Sequence, residues 1–94
     1  MALARVVSFD GVSSERIEEI KRELSQGEQP EGLPATEFIL LHDAGAQKSL
    51  VVMFFDNDDD YALGDATLNA MPAGDTPGQR TGVAKYDVAL RVTA

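Results

Sequence analysis

The sequence predicts a single α+β domain over residues 1–94, with elements in the order β-α-β-β-α-β, and three observations predict it. Residues 50–55 are a continuous apolar run, too short for a helix and rich in Val and Phe, which reads as a strand covered on both faces. Helix-start chemistry occurs at Ser13 and again at Asp56-Asn57, each time directly after a strand-like segment. The chain also divides near Gly45 into two halves, each a strand, a helix and a strand.

The first strand spans residues 3–9 and ends at the turn pair Asp10-Gly11. Both of its faces are largely apolar, which suits an interior position. Ser13 stands at the N-cap of the first helix, with Val12 and Ile17 placed to close a hydrophobic staple. That helix runs to about residue 25, with Ile17, Ile20 and Leu24 as its apolar stripe and Glu18 and Arg22 paired outside. Gly27 is its natural terminator, and residues 28–34 are a breaker-rich linker.

Residues 36–43 form the second strand, 43–47 a turn and 48–55 the third strand, together a hairpin. Asp56 or Asn57 caps the second helix, and Asp58, Asp59 and Asp60 meet the positive end of its dipole. Tyr61, Gly64, Leu68 and Met71 share one face. Gly64 costs about 1 kcal/mol relative to Ala in a helix interior, so it marks either a close helix-to-sheet approach or a tolerated defect. The helix stops near Met71-Pro72, residues 73–82 form a loop, and the last strand covers residues 83–93. Its alternation of Ala84, Tyr86, Val88, Leu90 and Val92 with Lys85, Asp87, Ala89 and Arg91 marks one wet face and an edge position.

This order is the split βαβ, or ferredoxin-like, arrangement: a four-stranded antiparallel sheet with two helices on one face. Right-handed crossovers make strands one and three central, and these are the two with apolar residues on both faces. Two helices cover one face only. In the third strand both Leu50, Val52, Phe54 and Val51, Met53, Phe55 are apolar, and in the second both Phe38, Leu40 and Ile39, Leu41. One set of each is left in water, and the expected consequence is a homodimer packed through the sheet face.

The element order, the size, the long loop before the last strand and the doubly apolar third strand resemble the dimeric α+β barrel superfamily. That superfamily includes antibiotic-biosynthesis-monooxygenase-like and stress-responsive barrel proteins, and the resemblance is architectural over nearly the whole chain. It implies two facing sheets and a small-molecule pocket between sheet and helices. It spans cofactor-free oxygenases, isomerases, haem enzymes and members with no known activity. The Trp, Asn and His used in cofactor-free monooxygenase pockets do not transfer as a set, because this chain has no Trp; His42 and Asn69 match in residue type only.

A formal charge of -8 disfavours nucleic acid and anionic membrane surfaces. The absence of cysteine excludes disulfides, a thiolate nucleophile and Cys-ligated metal. No targeting segment is evident, so a cytoplasmic location is the expectation. Asp56, Asp58 and Asp60 imitate the start of a calcium loop, but Tyr61 stands where that loop needs Gly and Thr67 where it needs Glu, so they read as a helix cap and no metal is expected. His42 is the general-base candidate, on one face with Phe38 and Leu40 and on the opposite face from Asp43. Phe54, Tyr61, Asn69 and Tyr86 are the candidate ligand-binding residues; for the tyrosines, core rings with a wet tip are the structural alternative. Three functions follow: association or small apolar-ligand binding without a cofactor, a cofactor-independent oxygenase or isomerase on an apolar aromatic substrate, or a protein-interaction subunit.

Overall fold

The computed structural model describes residues 2–25, 33–70 and 77–92, with Leu24 and Ser25 described by backbone alone. The elements are β1 (Leu3–Asp10), α1 (Ser14–Ser25), β2 (Glu37–Asp43), β3 (Lys48–Phe55), α2 (Asp58–Asn69) and β4 (Gln79–Asp87). The four strands form one antiparallel sheet in the order β2-β3-β1-β4, so β1 and β3 are central. This is the ferredoxin-like fold.

Strand parity decides which side chains the helices cover. Leu3, Arg5, Val7 and Phe9 of β1 and Ser49, Val51, Met53 and Phe55 of β3 are buried on the helix side. Ile17 of α1 and Tyr61 of α2 join them, and Phe38, Leu40 and Leu68 pack against the cluster half-buried. Val12 and Ile17 are both in this core, as the staple requires.

The caps fall where the sequence places them. Ser13 Oγ accepts from Arg16 N at 3.1 Å, and Asn57 Oδ1 accepts from Asp60 N at 2.8 Å. Gly64 has a physical reason: a Cβ there would sit 2.4 Å from Phe55 Cε1, so its absence lets α2 lie directly on a fully buried ring. Glu18 pairs with Lys21, one position short of the expected Arg22. Gly27, the linker stretch 28–32 and the Met71-Pro72 stop lie outside the described residues.

The last strand differs from expectation in register. It begins at Gln79 and ends at Asp87, four residues earlier than the sequence pattern at its start and six at its end. Its partner sets both limits, because β1 begins at Leu3 and Leu3 pairs with Asp87. Residues 88–92 continue without a ladder, although Val88 N still donates to Ala2 O at 3.0 Å. The charged face of β4 is turned to the helix side, where Lys85 Nζ donates to Asp58 Oδ1 at 2.9 Å and Arg80 Nη1 to Asn69 Oδ1 at 2.8 Å. Its apolar residues Ala84 and Tyr86 lie on the other side of the sheet.

Candidate functional site

The face away from the helices is built of cross-strand rows. Glu37, Phe54, Ala4 and Tyr86 form the first, Ile39, Val52, Val6 and Ala84 the second, and Leu41, Leu50, Ser8 and Gly82 the third. Among the described residues no helix covers them: Tyr86 is 57% exposed, Leu41 49% and Leu50 39%, while Ile39, Val52 and Phe54 are half-buried and Ala4 is buried. Charges lie at the two ends. Asp43, Lys48 and Asp10 border the hairpin end, with Lys48 Nζ 4.0 Å from Asp10 Oδ1. At the other end Arg91 stacks over the Phe54 ring, 4.4 Å from its centroid, and pairs with Glu37.

An open depression of about 510 Å³ lies at the hairpin end, lined by Leu41, Leu50, Ser8 and Thr81 with the charged rim residues beside them, and with His42 and Ser49 also in its lining. The third row explains it, because side-chain size falls from Leu to Leu to Ser to Gly across the four strands. The ladder skips Thr81 there, with Ser8 opposite Gly82 and Phe9 opposite Arg80. This bulge brings Thr81 Oγ1 to 2.8 Å from Ser8 Oγ.

The five residues singled out from sequence occupy three places. Phe54 and Tyr86 lie in the first row of the open face. Tyr61 and Asn69 lie on the helix side. The Tyr61 ring is buried edge-on to Phe55 at 5.5 Å, with Lys85 Nζ 4.8 Å from its centroid. Burial raises the pKa of its phenol above the ordinary range, and Asp65 adds to the effect. Asn69 Oδ1 accepts from Arg5 Nη2 at 3.1 Å as well as from Arg80, and its Nδ2 donates to Asp65 Oδ2 at 3.3 Å.

His42 lies at the hairpin end of the helix side, half-buried and opposite Ser49. Its Nε2 is 3.2 Å from Val12 O, and Val12 N donates to Gln47 O at 2.7 Å. A carbonyl only accepts, so Nε2 is the donor in this contact. Ser49, which sequence reading passed over, is buried with no hydrogen-bond partner for its hydroxyl among the described residues.

The acidic run after β3 serves α2. Asn57 Nδ2 donates to Asp60 Oδ2 at 3.3 Å, reciprocating the backbone cap, and Asp58 holds Lys85. Among the described residues no group of His, Asp or Glu is placed to hold a metal ion, and no helix is long and apolar enough to cross a membrane. Comparison with protein-family models, with curated proteins and with solved structures finds no match.

Proposed function

We propose that this chain works as a dimeric α+β barrel protein, two copies packing open sheet face to open sheet face and enclosing a small apolar ligand. The supporting observation is the apolar set Ile39, Leu41, Leu50, Val52, Phe54 and Tyr86, which lies in contiguous rows on the side of the sheet away from the helices, with Leu41, Leu50 and Tyr86 exposed and the other three half-buried. Fully burying one such side chain contributes about 1.5–3 kcal/mol. A two-fold interface uses each residue twice, against about 4–15 kcal/mol for lost rigid-body freedom.

A second copy fits this face because its rim carries both signs. Lys48 and Arg91 stand beside Asp10, Asp43 and Glu37, so one rim complements another of its kind around an apolar centre. The rest of the surface opposes association, since each chain carries a net charge of -8. Added salt screens that repulsion and leaves apolar burial intact, so association strengthens with ionic strength.

Sedimentation equilibrium at micromolar concentration tests the reading. The expected mass is twice the 10.1 kDa of one chain. Val52→Glu, at the centre of the second row, should return it to a single copy, while Leu63→Glu on the exposed side of α2 should leave it unchanged. A single-copy mass for the unsubstituted chain, or equal effects of the two substitutions, overturns the proposal.

A further inference from the structure

Three independent features coincide at one point of the open face. The first is the depression itself. The second is Gly82, which stands in an edge strand with ordinary backbone angles, where a β-branched residue would favour the strand more. Glycine there marks a place something approaches closely, and a Cβ would meet Ser8 Oγ at 3.3 Å. The third is the bulge, which puts Thr81 on the Ser8 side of the sheet; regular pairing would place it opposite Phe9, facing the helices.

The geometry points to this depression as a binding site for a small neutral amphiphile, its apolar ring or chain lying on Leu41 and Leu50 and one hydroxyl or amide group meeting the Ser8–Thr81 hydroxyl pair. Once the two hydroxyls bond to each other, one proton and several lone pairs stay free, so the pair both donates to and accepts from a neutral head group. Charge selects against an anion, because Asp10 and Asp43 outnumber Lys48 at the rim. This inference rests on the reading that the open face is the working surface, but every residue of the site belongs to one chain.

Amide chemical-shift titration of the isotopically labelled protein with p-cresol and benzoate tests it. Saturable shifts with p-cresol are expected at Ser8, Leu41, Leu50 and Thr81, with a weaker response to benzoate. Gly82→Val adds a side chain beside the depression, against Ser8 Oγ, and should weaken binding. Ser8→Ala with Thr81→Val keeps the shape and should weaken binding about tenfold, the size of a lost pair of neutral hydrogen bonds. Amide-spectrum dispersion verifies that each variant is folded. Repeating the titration on Val52→Glu separates the two proposals: saturable binding there sustains the site whatever the association state. Absence of saturable shifts in both backgrounds, undiminished binding in Gly82→Val, or binding of benzoate as tight as p-cresol overturns the site.

Discussion

Arg5 Nε donates to Asp65 Oδ1 at 2.8 Å, tying the middle of a central strand to the helix above it across 60 positions of sequence. The two partners are unequally placed: the arginine side chain is 5% exposed and the aspartate 37%. Removing the aspartate strands a buried cation, whereas removing the arginine leaves a carboxylate that water reaches.

Asp65→Ala is therefore expected to destabilise by about 3 kcal/mol, at the low end for a broken buried pair because Asn69 still accepts from Arg5. Arg5→Met should cost less, and the double replacement should recover most of the loss. Urea unfolding of the three variants checks the order. An Arg5→Met loss as large as that of Asp65→Ala would show that packing, rather than the stranded charge, sets the cost.

Gly64→Ala offers a second measurement. Helix propensity alone favours the change by about 1 kcal/mol. The added methyl group, however, meets the ring of Phe55, which is fully buried. A net loss of about 1–3 kcal/mol is expected, as for overpacking elsewhere. Phe55→Leu in the same chain should make the alanine less harmful, which urea unfolding of the pair would reveal as a positive coupling.

The alkaline limb of stability follows from Tyr61 and Lys85. Burial raises the Tyr61 pKa, and the hydrogen bond from Lys85 to Asp58 raises that of Lys85. Between the unfolded and folded pKa values the native state holds protons that the unfolded chain has released. The share of stability that these two groups carry is therefore flat below about pH 10 and falls as pH rises through the folded values. Tyr61→Phe removes the phenol's share, so its stability should fall less steeply than that of the unsubstituted chain when urea midpoints are followed from about pH 9 to about pH 11. Parallel curves would exclude the phenol as a contributor.

What the sequence made legible depended on which partner decides each feature. β3 was readable because its own residues are apolar on both faces, and the cap at Asn57 because capping is local chemistry. β4 was misplaced because alternation through Val88, Leu90 and Val92 continues past the Leu3–Asp87 pair at which the ladder to β1 ends. Strand length belongs to the pair, and a pattern on one strand does not contain it. Phe54 and Tyr86 could be assigned to one face by parity once the register was known. The convergence of Arg5, Asp65, Asn69 and Arg80 could not, since it depends on how α2 sits over the sheet. The Ser8–Thr81 pair was hidden for a related reason: a bulge shows itself only as a skipped partner.

That skipped partner also bears on how copies of the chain can join. Sheet edges add strands in series, each addition exposing a fresh edge, so edge growth has no natural end. On the β4 side the ladder is interrupted at Thr81, and Arg80 and Lys85 set charge along it. A flat face is different, because one neighbour uses it up. With a single extra residue, this edge becomes a poor template for further strands.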